Sequence, residues 1–264
     1  MPGKHLAPRL LLAAIVSASS LAIAATSPGS PPHASRPAGG SSREGALSHL
    51  PPPLRLAELA PAADPQVLAL ALSAVRCAQA EGTGTTARRL AVIDYSRSSL
   101  QPRLWVFDLA SHKLLYHELV AHGRGSGGDT PTHFSNEDGS HASSLGLFVT
   151  RDTYSGHNGY SLRMDGLERG INDDAMARAI VMHGAPYVNA DSGRQMGRLG
   201  RSWGCPALRS AVAKPIIDVM KDGQFVFSYY PDQAWLAHSA LLHCAASRTA
   251  RTARTGTGGN PDAS

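Results

Sequence analysis

Short apolar runs, separated by turn-forming residues, recur through the middle of this chain. Their length, their content of Val, Ile, Leu and aromatic residues, and the Gly, Pro and Ser between them are typical of β-strands. The runs are Leu90–Tyr95, Arg103–Leu109, Lys113–Ala121, Leu145–Thr150, Tyr160–Met164, Arg178–Met182 and Phe225–Tyr230. They predict a mainly β domain, a sandwich or an open barrel with a few flanking helices.

Helical patterns lie at the margins of the strand region. Asp64–Glu81 starts with a capping Asp followed by Pro, and its apolar residues recur on one face. A second pattern, Ala211–Lys221, ends just before Gly223, a residue type that commonly stops helices. A third pattern covers Pro231–Cys244. We therefore expect three helices packed against the strands.

The two ends of the chain differ in composition from the middle. Lys4 and Arg9 precede the apolar run Leu10–Ala25, a pattern that predicts a signal peptide over residues 1–25, with a retained membrane anchor as the alternative. Residues 26–63 are rich in Pro, Ser and Gly and predict a disordered linker, and residues 246–264 predict a disordered basic tail. One folded domain remains over residues 64–245. The expected location is the periplasm, with no stable membrane anchor after cleavage.

Composition narrows the class of protein further. Of the 264 residues, 42% are hydrophobic, which is enough for one sizeable core, and 26 Gly with 18 Pro argue against helical bundles. Lys and Arg total 25 against 20 Asp and Glu. The resulting formal charge of +5 suits an anionic partner but is too small to indicate nucleic acid.

The three cysteines raise the question of a disulfide, because an exported chain reaches an oxidising compartment. Cys77 and Cys244 lie on the first and last predicted helices, so a bridge between them would tie the two flanking helices together. Two buried free thiols are the alternative. Since three is an odd number, at least one thiol is unpaired within the chain, and Cys205 lies in a different kind of sequence.

The segment His122–Gly128 contains a formal G-x-G-x-x-G match. A dinucleotide site needs such glycines to open a helix, but polar residues without a helical period follow, so we interpret this segment as a flexible loop. A zinc site would have to assemble in space, because the histidines show no ligand spacing along the chain. We therefore expect no metal and no cofactor. The histidines considered are His122, His133, His141 and His157.

The stretch from Ala179 to Ala207 contains the candidate catalytic residues. It joins a buried strand that ends at His183 to an arginine-rich loop that ends at Cys205. A thiol after a glycine lies in a tight turn, where backbone N–H groups can converge on one point as in an oxyanion hole. A Cys–His pair of this kind predicts a nucleophile and its base, and a packed thiol with a buried histidine is the alternative.

Positive charge near the thiol predicts its ionisation state. Arg198 and Arg201 lie in the same loop as Cys205, and an imidazolium at His183 would add a further positive charge. These charges favour the thiolate and predict a pKa below that of a free cysteine.

The motifs of this stretch resemble a known family. His183-Gly184 followed by Ser202-Trp203-Gly204-Cys205 is similar to the His-Gly … Ser-His-Gly-Cys signature of the YkuD-type L,D-transpeptidases of bacterial cell walls. The resemblance is closer to the murein L,D-transpeptidase catalytic domain family and extends from about Cys77 to Cys244. It rests in addition on Ser143–Gly146, Arg178–Ala185, Gly197–Ala207, Tyr229–Asp232 and Trp235-Leu236. It implies a single L,D-transpeptidase-like domain.

The resemblance also implies a reaction without a cofactor. Cys205 would form a thioester with a peptidoglycan stem peptide of the meso-diaminopimelate type, and an amine of a second stem would complete a cross-link. His183 would act as the base, oriented by a backbone carbonyl as is usual in the family. Other residues with implied or candidate roles are Gly204, Trp203, Ser202 and Gly184 around the oxyanion, Arg198 and Arg201 for a substrate carboxylate, and Asn158, Asn172 and Asp173 for orienting the base.

Two positions depart from the commoner motif. Trp203 stands where His is common, and Ala207 stands where Arg or Asn is frequent. Both changes alter contacts with the substrate and leave the nucleophile and the base in place. They motivate a catalytically inactive peptidoglycan-binding module as one alternative function. Hydrolysis of the same bond by an L,D-carboxypeptidase or amidase is another alternative, because the sequence does not determine which nucleophile reaches the thioester.

Overall fold

The computed structural model describes residues 50–244. The predicted signal peptide, most of the predicted linker and the predicted tail lie outside this range. The helices are α1 (Pro53–Leu59), α2 (Pro65–Ala80), α3 (Ala190–Met196), α4 (Ser210–Met220) and α5 (Gln233–His238), and residues 240–244 are again helical. The strands are β1 (Arg89–Asp94), β2 (Leu104–Asp108), β3 (Lys113–Glu118), β4 (Val120–Ala121), β5 (Gly146–Gly156), β6 (Gly159–Gly166), β7 (Val181–Ala185), β8 (Ala207–Arg209) and β9 (Phe225–Tyr229).

All nine strands within residues 50–244 belong to one sheet, in the order β3-β2-β1-β9-β5-β6-β7-β8-β4. The pairs β1–β9 and β7–β8 are parallel and the others are antiparallel. The two strands at the ends of this order, β3 and β4, are separated in the chain only by Leu119, so the two edges of the sheet come close together. The sheet is thus a nearly closed barrel, which confirms the prediction of a mainly β domain.

The sheet is buried on both faces. Along β1, Leu90 and Val92 belong to one buried cluster, which includes α1 and α2, while Ala91 and Ile93 belong to a second cluster with α4. This division follows from the alternation of side chains along a strand. Because α4 contacts β1, β6, β7 and β8, it packs inside the curve of the sheet and supports the strands that carry the candidate site.

The folded domain begins earlier in the chain than the sequence indicates. Helix α1 lies in the predicted linker, and the residues Leu50, Leu56, Ala60 and Ala63 are buried in the same cluster as α2. The linker prediction is therefore wrong for residues 50–63. The prediction failed because the segment is rich in proline, and its few apolar residues contact their partners only in the folded domain.

Helix α2 follows the sequence pattern closely. The carboxylate of Asp64 accepts a hydrogen bond from the Gln66 backbone N–H at 2.8 Å and caps the helix. Near the C-terminal end of α2, the sulfur of Cys77 is joined to that of Cys244 in a disulfide, with the two Cα atoms 6.0 Å apart. This bridge links α2 to the C-terminal end of the folded domain.

Several of the predicted strands have different bounds in the structure, and β5 extends six residues beyond its predicted end, to Gly156. The run Lys113–Ala121 divides into β3 and β4, which pair with different neighbours, β2 and β8. The run Arg178–Met182 begins in a turn, because Ala179 has φ 53°, and the strand starts only at Val181. Strand β8 and helix α3 have no counterpart in the prediction, since both are short and lie in the glycine- and arginine-rich loop. Within residues 50–244 no helix is long and apolar enough to cross a membrane.

Candidate active site around Cys205

Cys205 lies in a tight turn that leads into β8. Gly204 has φ 116°, a conformation that favours glycine, and a Cβ atom there would lie 2.8 Å from a side-chain carbon of Ile180. The hydroxyl of Ser202 accepts from the Gly204 N–H at 3.2 Å and donates to the Cys205 carbonyl at 2.6 Å. The motif residues Ser202 and Gly204 therefore fix the backbone on which the thiol is mounted.

His183 lies on the strand beside this turn. Strands β7 and β8 are parallel, with His183 opposite Ala207, and the His183 N–H donates to the Pro206 carbonyl at 3.4 Å. The ring Nδ1 lies 3.0 Å from the carbonyl oxygen of Gly184. Because a carbonyl can only accept, Nδ1 carries the proton and Nε2 is left with its lone pair.

The thiol and the imidazole open into one cavity. A cleft of about 260 Å³ is lined by both Cys205 and His183, together with His157, Asn158, Tyr187, Arg201, Ser202 and Trp203. A second cavity of about 260 Å³ also has Cys205, Asn158 and Trp203 in its wall, with Asp138, Gly139, His141, Arg178 and Ala179. Cys205 is only 7% exposed, and both cavities reach it.

The sulfur itself contacts the turn before β7. The Val181 N–H donates to Sγ at 3.4 Å, and the thiol donates to the Ala179 carbonyl oxygen at 3.7 Å. Burial raises the pKa of the Cys205 thiol, and the Val181 N–H and the Arg178 guanidinium lower it by less. Burial also lowers the pKa of His183, against the opposing effect of its bond to Gly184. At neutral pH the pair is therefore an uncharged thiol and an uncharged imidazole.

The expectation of a resting thiolate is thus wrong. It rested on Arg198, Arg201 and an imidazolium, whereas His183 is buried and neutral and the cation that acts on the thiol is Arg178. Arg198 donates to the Leu199 carbonyl at 2.9 Å, and Arg201 donates to the Gly127 carbonyl. Of these two arginines, Arg201 lines the cleft.

The backbone N–H groups of the turn divide into two kinds. The Gly204 N–H is already bonded to the Ser202 hydroxyl, so it is not a free oxyanion donor as expected. The N–H groups of Trp203 and Cys205 make no hydrogen bond to another residue within the described range 50–244. Two of the three N–H groups that the resemblance implies therefore have no partner in another described residue, and the Cys205 N–H acts on its own sulfur.

The glycine-rich segment is a part of this site rather than a flexible loop. A Cβ atom on Gly123 would lie 2.3 Å from the His141 carbonyl oxygen and 2.8 Å from the Gly204 Cα, so only glycine fits between them. The Ser143 hydroxyl accepts from the Gly123 N–H and donates to the Gly204 carbonyl, both at 3.0 Å. The segment follows β4 as a loop, as interpreted, but its glycines serve close backbone packing against the Cys205 turn instead of flexibility.

Trp203 projects from the turn and is 68% exposed. Its ring stacks on the His141 ring with centroids 4.9 Å apart, and the Arg124 guanidinium lies 5.3 Å from its centroid. Arg124 also donates to Nδ1 of His141 at 2.9 Å. The commoner motif has His at this position. Here the position is occupied by Trp203, and the imidazole of His141, from another segment, stacks on its ring.

A buried polar network lies under the glycine-rich segment, and sequence analysis missed it. Arg103 is 0% exposed, donates to the carbonyls of Val120 and Arg97, and bonds Nδ1 of His122 at 2.8 Å. Burial lowers the pKa of Arg103 to about 10, and burial with the Arg103 charge lowers that of His122 to about 4. Burial raises the pKa of Tyr95, which bonds Ser143, to about 12.

The remaining candidates have structural contacts. Asn172 donates to the carbonyls of Leu145 and Leu147, and Asp173 accepts from Asn136, so neither contacts His183. Gly184 allows close packing, because a Cβ there would lie 2.8 Å from the Ala213 side chain on α4. Within residues 50–244 no group of three His, Cys, Asp or Glu side chains has the arrangement of a metal site.

The described domain is thus a mainly β fold in which a buried thiol and a neutral imidazole line one cleft. Residues 59–229 match the family described as L,D-transpeptidase catalytic domain. Since this match spans more than half of the chain, the chain belongs to that family.

The solved structures to which this chain is similar are distant from it in sequence. An L,D-transpeptidase from Mycobacterium smegmatis is 15% identical, over 55% of this chain and 59% of that one, with a TM-score of 0.34. An L,D-transpeptidase from Mycobacterium tuberculosis is 15% identical, over 54% and 58%, with a TM-score of 0.32. A variant of the helical cell shape determining protein Pgp2 from Campylobacter jejuni is 12% identical, over 62% and 56%, with a TM-score of 0.37. The chain thus covers less than two thirds of each of them. No curated protein matches it.

Proposed function

We propose that this protein is a cysteine-dependent L,D-transpeptidase that acts on peptidoglycan stem peptides of the meso-diaminopimelate type in the periplasm. The observation that carries the proposal is the cleft shared by the Cys205 thiol and the His183 imidazole, whose Nε2 is unprotonated because Nδ1 donates to Gly184. Membership of the L,D-transpeptidase catalytic domain family supports the same reaction class.

In the first half of the reaction Cys205 is acylated. Its sulfur attacks the carbonyl carbon of the amide that joins the L-centre of diaminopimelate to the following D-amino acid. Because the resting thiol is protonated, His183 Nε2 takes the proton as the S–C bond forms. The N–H groups of Trp203 and Cys205 stabilise the tetrahedral oxyanion. The C–N bond then breaks, His183 returns the proton to the leaving amine, and a thioester remains.

In the second half the thioester is resolved. An amine of a second stem peptide attacks the thioester carbon and forms a new amide, while His183 takes a proton from that amine. The C–S bond breaks and the sulfur regains the proton from His183, so that the enzyme returns to its neutral resting state. Water in place of the amine would give a shortened stem instead of a cross-link.

Arg201, the arginine that lines the cleft, supplies a contact to a carboxylate of the substrate. Arg201 lines the cavity that contains the thiol, and neither Arg201 nor Arg198 forms a salt bridge with another residue in the range 50–244. The Arg201 pKa is lowered by burial and by the charges of Arg198 and Arg124, which indicates that the three guanidinium groups lie close together. A carboxylate would relieve this repulsion, and Arg binds carboxylates in a bidentate manner.

The test is to incubate the purified protein with disaccharide tetrapeptides and to resolve the products by mass. We expect cross-linked dimers and released D-amino acid, no product from Cys205→Ala, and a loss of at least about 100-fold from His183→Ala. His133→Ala, a change at an exposed histidine outside the cleft, is the matched control and should be neutral.

The other outcomes separate the alternatives. Shortened stems without dimers would show an L,D-carboxypeptidase and would replace the transpeptidase assignment. Binding of the muropeptide without turnover, unchanged in Cys205→Ala, would show an inactive binding module and would overturn the proposal.

A further inference from the structure

Arg178, near the end of the turn before β7, carries a charge that the mechanism above does not use. Arg178 is half-buried and its guanidinium is held by four neutral acceptors. Nη1 donates to the Ser135 carbonyl and the Ser144 hydroxyl, both at 2.7 Å. Nη2 donates to the Ala142 carbonyl at 2.8 Å and to the Ser140 hydroxyl at 3.2 Å. Four bonds on one planar group leave its orientation little freedom.

This guanidinium lies against the Cys205 turn. A Cβ atom on Gly204, the residue before Cys205, would lie 3.5 Å from Arg178 Nη2. Arg178 and Cys205 also line the same cavity of about 260 Å³. The next residues along the chain, Ala179 and Val181, make the two hydrogen bonds of the sulfur. The segment 178–181 therefore surrounds the thiol with a cation, a carbonyl and an N–H group.

The charge of Arg178 is not neutralised by a contact ion pair with any residue in the range 50–244. Asp138 and Asp174 act on it from a longer distance. The Cys205 sulfur interacts electrostatically with Arg178 and with the phenols of Tyr95 and Tyr187. The other charged or titratable groups in the two cavities at the sulfur are His183, His157 and Arg201 in one and Asp138 and His141 in the other.

We propose that Arg178 is the charge-stabilising residue of this site, a fixed cation that favours the negative charge which develops on the Cys205 sulfur and on the tetrahedral intermediate. The buried thiol needs such a partner, because burial without a counter-charge opposes its ionisation. The neutral hydrogen-bond acceptors around Arg178 matter for this role, since a carboxylate partner would cancel the field at the sulfur. The inference rests on Cys205 being the nucleophile of the proposed function.

The test follows the pH dependence of Cys205 alkylation by iodoacetamide in the full chain with its disulfide intact. We expect Arg178→Gln to move the midpoint up by about 1 pH unit, and to slow alkylation at neutral pH about 10-fold. Arg178→Lys, which keeps the charge, should retain the wild-type midpoint to within a few tenths. Arg169→Gln is the matched control, because it removes the charge of an exposed arginine that lines neither cavity at the sulfur, and it should leave the midpoint unchanged.

An unchanged midpoint in Arg178→Gln, or an equal shift in Arg178→Lys, would overturn the inference, since the second result would show a structural role alone. A measurement on the wild-type protein covers the case in which the variants do not fold. A fixed cation should speed iodoacetate relative to iodoacetamide at Cys205, compared with the same ratio for free cysteine. An equal ratio would refute the proposal.

These readouts do not need a peptide substrate. If alkylation behaves as expected but muropeptides are not turned over, the effect of Arg178 on the Cys205 sulfur stands and the proposed function fails.

Discussion

The Cys205 thiol lies 3.7 Å from the carbonyl oxygen of Ala179, to which it donates a hydrogen bond. Ala179 has φ 53°, a left-handed conformation that is costly for a residue with a Cβ atom. The strained turn therefore holds its carbonyl against the sulfur. Since a thiolate cannot donate, ionisation breaks this bond, which fits a thiol that stays protonated until a base acts on it.

The Ala179 turn can be tested by comparing two neighbouring alanines. Ala179→Val should destabilise the fold by about 1–2 kcal/mol, because a β-branched residue is disfavoured at positive φ. Ala177→Val, at an exposed position two residues earlier in the same turn, is the matched control and should change stability by less than about 0.5 kcal/mol. Urea unfolding measures both. Equal losses in the two variants would contradict the account of strain at Ala179.

The packing of the glycine-rich segment makes a second prediction. Gly123→Ala should lower the free energy of unfolding by about 2–3 kcal/mol and reduce the rate of Cys205 acylation, because its Cβ would collide with backbone atoms of His141 and Gly204. Gly128→Ala, where a Cβ meets nothing within 4 Å, is the control in the same segment. Thermal melting and an acylation assay on both variants check this, and a Gly123→Ala variant with wild-type behaviour would refute it.

The pKa of His183 sets the acid side of the activity profile. Burial lowers this pKa below its ordinary value of 6.5, so the imidazole remains neutral and able to accept a proton at pH 6.5. Activity should therefore fall only when the pH drops below 6.5 and through the lowered pKa. A kcat/KM profile between pH 4 and 9 measures this limb. A midpoint at or above 6.5 would mean that His183 is not the buried base described here.

His122 should make the fold sensitive to acid. Its pKa is about 4 in the folded protein against 6.5 as the ordinary value, because burial and Arg103 oppose its protonation. The unfolded state therefore binds a proton at a higher pH than the folded state does. As the pH falls from 6.5 to 4, this difference lowers the free energy of unfolding by about 3 kcal/mol. The measurement is urea unfolding at several pH values. His122→Gln should remove most of this slope, whereas His133→Gln at an exposed site should leave it in place.

The disulfide ties α2 to the C-terminal end of the domain across a separation of 167 residues. Replacing both cysteines, Cys77→Ser with Cys244→Ser, should lower the free energy of unfolding by about 3–5 kcal/mol, since a bridge over a long loop restricts the unfolded chain strongly. Cys205→Ser, which leaves the bridge intact, is the control. Equal stability with and without the bridge would show that the two ends are held by packing alone.

The elements with strong local signals were predictable. The Asp-Pro start and the single apolar face predict helix α2, and a compact apolar run predicts β1. Both elements lie within a residue or two of their predicted bounds. Helix α1 was missed because its contribution is burial of Leu56 against a cluster assembled from distant segments. The division between β3 and β4 was missed because one continuous apolar run gives no sign that its two halves pair with opposite edges of the sheet.

In the candidate site, too, some residues were predictable from the sequence and others were not. Its nucleophile and base, Cys205 and His183, stand next to glycines in a recognisable motif. Arg178 was missed as a functional residue, although it precedes the same strand, because its meaning depends on which neighbours its guanidinium finds. Arg198 and Arg201 were assigned the effect on the thiol from their closeness in sequence, but closeness along a loop does not fix the direction of a side chain.

By itself, the sequence determined which residue types are present and how they alternate, and this was enough to define a mainly β domain with a thiol and an imidazole in one motif. Only the tertiary structure decided the charge state of that pair. Ionisation depends on burial and on the charges within a few ångströms, and these come from segments up to tens of residues away, such as the Ala179 carbonyl and the Arg178 guanidinium that pack around the Cys205 sulfur.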